Sequence, residues 1–276
     1  MCATSFRGSP EIRPQVRARR RLGQNFLVDA ELRDRVVEAA ELEPDDEALE
    51  VGAGPGTLTV PLAARCRRLV AVEIDMRLVR LLRAATVSLP QVEVLRQDVL
   101  KLDLGALFPR GGEVVVGNIP YYLTGALLPK LLEHEPRPKR LSLVVQKEVA
   151  ERWVSESSWS LATVAVQVYA EPSLVLRLPA QAFSPRPKVD SALVRLEVRE
   201  RPAVEVADLG AFFRFAEQVF QFRRKQLRSS LARLTGRPVA ETAVRLEALG
   251  IAQSRRPETL GLDEWQSVYE AFRALS

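Results

Sequence analysis

The sequence predicts an α/β fold: a doubly wound, mostly parallel, seven-stranded Rossmann-like sheet followed by a small all-helical C-terminal domain. Three observations predict it. Between residues 48 and 198, short apolar runs alternate with stretches of helical periodicity, as when crossover helices bury a sheet on both faces. A Gly-rich turn, Gly52-Ala53-Gly54-Pro55-Gly56, joins the first run to a helix. Beyond Arg201-Pro202 only helical periodicity remains.

Each element has its own signal. Residues 1–21 are polar, Pro-containing and basic, and are expected to form a flexible segment. Ala30 to Leu42 has helical periodicity with Asp29 as N-cap. Strands are expected at Ala48–Val51, Leu69–Ile74, Val92–Arg96, Glu113–Val116 and Leu141–Val145. Helices are expected between and after them, at Leu58–Arg65, Met76–Ala85, Gly125–Glu133, Lys147–Val154 and Leu161–Tyr169. Leu174–Leu178 and Ala192–Val198 read as a late hairpin-like pair closing the sheet. The C-terminal helices are Leu209–Phe220, Arg224–Leu234, Glu241–Leu249 and Asp263–Leu275, separated by Gly/Pro punctuation. The domains are therefore drawn as 22–201 and 202–276.

Composition narrows the chemistry. With 276 residues, 47% of them hydrophobic, the chain is long enough for a full core. A net charge of +5 favours a polyanionic partner. Cys2 and Cys66 are the only cysteines and His134 the only histidine, so a disulfide framework, a zinc site and a histidine-based triad are disfavoured. No metal is expected. His134 lies in a polar, Pro-rich stretch and reads as a surface loop residue. No apolar run reaches the length of a membrane span, and the basic N-terminus lacks the apolar stretch of a secretory signal, so a cytoplasmic protein is expected. Scarce Asn, Met and Cys beside abundant Arg and Pro fits a heat-adapted source or a GC-rich genome.

The most informative segment is Val115-Val116-Gly117-Asn118-Ile119-Pro120-Tyr121-Tyr122. A buried strand delivers Asn118, Pro120 and Tyr121 at its C-terminal end, where ligands bind in open α/β sheets. The Asn118 amide oxygen accepts from an amino group. Pro120 holds Ile119 extended and can aim the Ile119 carbonyl at the same group. Tyr121 offers a face for stacking. Together they suit a planar nucleobase amine. The turn at Gly52 and Gly54 allows close approach of a ligand. Its G-x-G-x-G spacing, with Pro55 lacking an N–H, suits a ligand without phosphate better than a pyrophosphate, and S-adenosylmethionine is such a ligand. Glu73 ends the second strand and can accept from a ribose diol; Asp98 follows the third and can accept from an adenine amino group.

These pieces, in order, resemble the rRNA adenine N6-dimethyltransferase family, and within it the bacterial small-subunit (KsgA/RsmA) branch. The resemblance runs from about Arg21 to Leu234. It adds Gly23-Gln24-Asn25-Phe26-Leu27, Val145-Gln146-Lys147-Glu148-Val149-Ala150 and Phe183-Ser184-Pro185-Arg186-Pro187-Lys188-Val189-Asp190-Ser191 to the segments above. It implies S-adenosylmethionine contacts at Asn25, Leu27, Gly52, Gly54, Glu73, Asp98 and Asn118. It implies a methyl-transfer centre of Asn118, Ile119, Pro120 and Tyr121, with Phe183 covering the second face of the base. The product is expected to be two methyls on N6 of each of two adjacent adenines in the 3′-terminal hairpin loop of 16S rRNA. The partner is small-subunit rRNA within an immature 30S subunit, and a monomer is expected.

RNA contacts are expected at three basic clusters: Arg20 and Arg21 with Arg17 and Arg19; Arg186 and Lys188 beside Phe183; and Arg223, Arg224, Lys225 and Arg228 at the start of a helix. Two departures from relatives concern RNA contact. Gln226 and Ser229 stand where Thr and Asn are common, and Ser157-Ser158-Trp159-Ser160 lacks a Tyr-Gly pair. Competing readings are a resistance-type enzyme acting on large-subunit rRNA, a non-catalytic assembly or nucleic-acid-binding factor on this fold, and an NAD-dependent oxidoreductase. The last gives Asn118 to Tyr121 no task.

Overall fold

The computed structural model describes residues 18–19, 22–155 and 157–273. The expected basic segment therefore lies outside the described residues, except for Ala18 and Arg19. β1 (Phe26–Leu27) leads into α1 (Ala30–Ala39), and Asp29 caps that helix by accepting from Leu32 N at 3.0 Å. β2 (Glu47–Val51), β3 (Arg68–Glu73), β4 (Val92–Arg96), β5 (Val114–Asn118) and β6 (Arg140–Gln146) alternate with α2 (Thr59–Ala63), α3 (Met76–Ala85), α4 (Leu104–Leu107) and α5 (Thr124–Leu132). Then come α6 (Lys147–Trp153), α7 (Leu161–Tyr169), β7 (Ala170–Leu178), β8 (Phe183–Ser184) and β9 (Ser191–Val198). Four helices follow: α8 (Leu209–Phe220), α9 (Leu227–Thr235), α10 (Val239–Ala248) and α11 (Leu262–Phe272).

Seven strands form one sheet in the order β4-β3-β2-β5-β6-β9-β7. The first five are parallel, and β9 lies antiparallel between β6 and β7. Strand order reverses between β2 and β5, which opens a crevice at the carboxyl edge. The register aligns that edge: Val51 pairs with Val72 and with Gly117, Glu73 with Arg96, and Asn118 with Val144.

Alternation along the strands divides the core. Leu49, Val51, Val70, Val72 and Val115 face one side and pack with α5, α7 and the C-terminal helices. Ala48, Leu69, Val114 and Val116 face the other, against α1 and α2. Ala71 meets Leu82 of α3 on this second side. The central strands β3 and β5 are apolar at nearly every position because both faces are covered there, whereas the edge strands β4 and β7 alternate with exposed residues. The C-terminal helices extend the first core. Phe212, Trp265 and Phe272 belong to the same buried cluster as the strands, and the rings of Tyr169 and Phe213 stack at 5.6 Å.

Four expectations need correction. α9 begins at Leu227, so Arg223, Arg224 and Lys225 lie on a turn before it rather than in its first turn. Leu227 N donates to Arg255 O at 2.7 Å, which fixes the start of the helix. α2 stops at Ala63, where Arg65 N turns back onto Leu62 O. The β1–β8 pair was not foreseen, since two-residue strands carry no periodicity. His134 does follow α5 in a loop but turns inward: its side chain is 17% exposed and its Nε2 lies 3.8 Å from Glu113 Oε1.

Candidate active site at the carboxyl edge of the sheet

A cleft opens at the switch point. The turns after β2, β3, β4 and β5 line it, and Leu22 to Phe26 form its entrance. Of the expected cofactor residues, Asn25, Gly52, Gly54, Glu73, Asp98 and Asn118 all lie on its wall. Leu27 does not. Its side chain is 3% exposed in the core beneath α1, and its neighbour Phe26 faces the cleft instead. Successive residues of a strand point to opposite sides, so only one of the two can face the cleft.

The Gly-rich turn and Glu73 build one another. Gly54, at φ +60°, donates its N–H to Glu73 Oε2 at 2.9 Å, while Asp75 N–H reaches Oε1 at 2.8 Å. A Cβ at Gly54 would meet the Phe26 ring at 3.4 Å. Glu73 is 6% exposed, and burial raises its pKa against the pull of these backbone donors. A carboxylate has about four lone-pair sites, so acceptor capacity remains beyond these backbone donors. Asp98 acts twice: its Oδ1 caps a single turn of 3₁₀ helix by accepting from Leu100 N at 3.0 Å, and the residue also lines the cleft.

Asn118 is oriented from 93 residues away. Its Nδ2 donates to the Asn25 carbonyl at 2.7 Å, which turns Oδ1 away as the free acceptor of the amide. Ile119 N–H is taken by Val144 O at 3.0 Å, and among the described residues no donor occupies the Ile119 carbonyl. Two consecutive residues thus each keep an acceptor without a partner among the described residues, with Pro120 fixing the turn between them and Tyr121. Tyr121 lines the cleft and its hydroxyl meets Ser191 Oγ at 3.1 Å. Phe183 is not brought to the cleft wall. It is 4% exposed, paired with Leu27 and packed in the core.

Sequence reasoning missed part of the wall: Phe26, Ile74, Gln97, Val99, Leu100 and Tyr122. Ile74 had a readable signal. It is an apolar residue just past a strand end, and it is 49% exposed. Glu50 was also missed. It is the next-to-last residue of β2 and is 1% exposed, with a pKa raised to about 8 chiefly by burial.

The basic clusters differ in availability. Arg186 and Lys188 are exposed on the β8–β9 loop, and Arg223, Arg224 and Lys225 on the α8–α9 turn, without carboxylate partners among the described residues. Arg228 is half-buried and donates to Gln253 Oε1 at 2.6 Å, so it is partly committed within the fold. Arg19 lies 3.6 Å from Asp75 Oδ1. Arg17, Arg20 and Arg21 lie outside the described residues. Among the described residues no group of three or more His, Cys, Asp or Glu could hold a metal ion, and no helix is long and apolar enough to cross a membrane.

Comparison with known proteins agrees with this geometry. The family model for ribosomal RNA adenine dimethylase matches residues 15–273. Ribosomal RNA small subunit methyltransferase A of Desulfitobacterium hafniense (strain DSM 10664 / DCB-2) is 40% identical over 258 residues, covering 92% of each chain. The protein of the same name from Geobacillus kaustophilus is 38% identical over 265 residues, 92% of this chain and 90% of its own. Among solved structures, the 23S rRNA methyltransferase ErmE superposes with a TM-score of 0.72 at 32% identity, over 90% of this chain and all of its own. A dimethyladenosine transferase from Plasmodium falciparum shares the fold, with a TM-score of 0.73 at 24% identity over 88% of this chain and 96% of its own. The family match over nearly the whole chain, which includes the cleft lined by Asn118, Ile119 and Tyr121, places the chain in the ribosomal RNA adenine dimethylase family.

Proposed function

We propose that this enzyme transfers methyl groups from S-adenosylmethionine to N6 of adenines in small-subunit rRNA. The modification is two methyls on each of two adjacent adenines in the 3′-terminal hairpin loop of 16S rRNA, made in the cytoplasm while the small subunit is immature. The observation that carries this reading is the Asn118 amide on the cleft wall, whose donor side is spent on Asn25, leaving Oδ1 without a partner among the described residues.

The residues present fit the methyl donor. Glu73 retains acceptor capacity for a ribose diol, Asp98 a carboxylate oxygen for an adenine amino group, and the exposed Gly52 leaves room along the turn. Pro55, without an N–H, makes the turn a poor phosphate cradle. When bound, S-adenosylmethionine supplies an electrophilic methyl group on a sulfonium.

The chain's own task is to make adenine N6 nucleophilic and to aim it. The N6 lone pair is delocalised into the ring. Asn118 Oδ1 and the Ile119 carbonyl accept the two amino hydrogens and favour a more tetrahedral nitrogen with its lone pair directed at the methyl carbon. No side chain takes a proton before attack; the nitrogen sheds it after the N–C bond forms. Positioning and fixed dipoles of this kind lower barriers by several kcal/mol. After the first transfer one N6 hydrogen remains, so one acceptor suffices for the second. Tyr121 stacks on the base, which reaches the cleft unpaired at a cost of about a few kcal/mol.

The exposed cations of the α8–α9 turn and the β8–β9 loop would hold the RNA backbone, with helices α8–α11 as the ribosome-facing region of a monomer. Relatives named for the small subunit, at 40% identity over 92% of the chain, favour this substrate over the large-subunit one. The test is methyl transfer from labelled S-adenosylmethionine to unmodified small and large subunits, followed by nucleoside analysis. N6,N6-dimethyladenosine in small-subunit RNA is expected. Label in large-subunit RNA would reassign the substrate, and binding without label would leave an assembly factor.

A further inference from the structure

Tyr121 and Ser191 meet from distant parts of the chain, with their hydroxyl oxygens 3.1 Å apart. Ser191 is a fixed point. It is 1% exposed, opens β9, and pairs with Gln146 of β6 on one side and Leu178 of β7 on the other. The residue before it is also pinned: Asp190 O accepts from Lys147 N at 3.0 Å, and Asp190 Oδ1 from Ala180 N at 2.8 Å. Tyr121 is held far less. It lies in the turn between β5 and α5, where Leu123 N–H to Pro120 O at 2.8 Å closes the backbone.

The phenol oxygen lies on the axis of the ring, so tethering it fixes the first side-chain torsion and with it where the ring stands in the cleft. We propose that Ser191 is a positioning residue for methyl transfer: its hydroxyl anchors the far end of the Tyr121 side chain and so fixes where the ring stands when it meets the adenine held at Asn118. This rests on Tyr121 being the stacking platform proposed above. Tyr121 is half-buried on an open cleft, so its hydroxyl can turn to water when the partner is lost. The bond therefore matters less to folding than to the aim of the ring, because misplacement of a reacting group is felt strongly in rate.

The test compares kcat and KM on unmodified small subunits for the wild type, Ser191→Ala, Tyr121→Phe, the double variant and Tyr121→Ala. Ser191→Ala and Tyr121→Phe are each expected to lower kcat roughly three- to tenfold, the range of one net hydrogen bond, with the KM for S-adenosylmethionine little changed. The double variant should fall no further than either single one, since both remove the same bond. Multiplying losses, or wild-type turnover by Ser191→Ala, would overturn the proposal. Tyr121→Phe removes the tether from the exposed side and keeps the test sound if Ser191→Ala folds poorly. Wild-type turnover by Tyr121→Ala would remove the stacking platform itself, whereas collapse of Tyr121→Ala beside an unaffected Ser191→Ala would remove only the tether.

Discussion

Glu50 gives the fold a pH dependence that one substitution should erase. Its carboxyl sits under the Gly-rich turn, 1% exposed, near the carboxylate of Glu73. Thr59 is adjacent and pulls the other way, yet Glu50 Oε2 and Thr59 Oγ1 both lack a partner in acceptable geometry. Burial therefore dominates and moves the pKa from 4.5 to about 8, so the folded protein keeps this proton at neutral pH. The unfolded chain releases it near 4.5. Between those values the folded state binds more protons than the unfolded state, so stability is full below 4.5 and is lost as pH rises to about 8. At about 1.4 kcal/mol per pKa unit the loss is on the order of 5 kcal/mol.

The assay is urea denaturation of the wild type and Glu50→Gln at fixed pH values from 5 to 9, followed by fluorescence of the buried Trp153, Trp159 and Trp265. Other groups titrate in that range. Burial raises Glu113 to about 7, also destabilising as pH rises, while Asp75 is held low by Arg77 and acts only in acid. The difference between the two proteins cancels these contributions. Glu50→Gln should be the relatively more stable protein at pH 9 by several kcal/mol, with most of that advantage gone at pH 5. Parallel curves across the range would refute a buried, protonated Glu50.

Other perturbations follow from the same geometry. Gly117→Ala would place a Cβ 2.7 Å from the Val51 carbonyl oxygen and from Ile119 Cδ1; forcing β2 and β5 apart should cost about 3 kcal/mol or more, read as a lower urea midpoint. Asn118→Ala should abolish nearly all methyl transfer while S-adenosylmethionine affinity, measured by calorimetry, falls far less; retained turnover would take Asn118 out of the centre. Asn118→Asp keeps an acceptor but sets an oxygen against the Asn25 carbonyl in place of the 2.7 Å hydrogen bond, and should lose roughly ten- to a hundredfold in rate. Replacing Arg223, Arg224 and Lys225 together by Gln should reduce the slope of log affinity for rRNA against log salt by up to about 2; an unchanged slope would remove this turn from the RNA interface.

The doubly wound sheet was legible because both its faces are buried, which leaves unbroken runs such as Leu69 to Val72 between helical segments. The strand-end residues were legible for a related reason. Polar groups such as Glu73 and Asn118 at the end of an apolar run are costly to place there without a task. What could not be read depends on direction or on contacts distant in sequence. Phe26 and Leu27 are equally apolar, and only pairing with β8 decides which one faces the cleft. The α9 start, drawn three residues early, is set by Leu227 bonding to Arg255 across the helical region. His134 looked solvent-facing because its neighbours are polar, while the group it meets, Glu113, lies 21 residues back in the chain.

Asn118 shows why a strand end alone does not make this site. An amide presents one donor side and one acceptor side, and a residue free to flip would offer the substrate amine either of them. The Asn25 carbonyl removes that freedom by taking the donor side. Asn25 is itself held by the bond from its Nδ2 to Gly23 O at 3.2 Å, and by its place beside β1, which is anchored through β8. The entrance segment therefore does more than frame the cleft. It fixes which side of the amide is left to accept, so on the proposed function a change at Leu22 to Phe26 should alter methyl transfer without touching substrate. Glycine-rich turns and acidic strand ends recur wherever a doubly wound sheet binds a nucleoside-containing ligand. On the proposed function, the acceptors of Asn118, oriented by Asn25, and of Ile119, held through Val144, would distinguish this cleft as one built for an exocyclic amine.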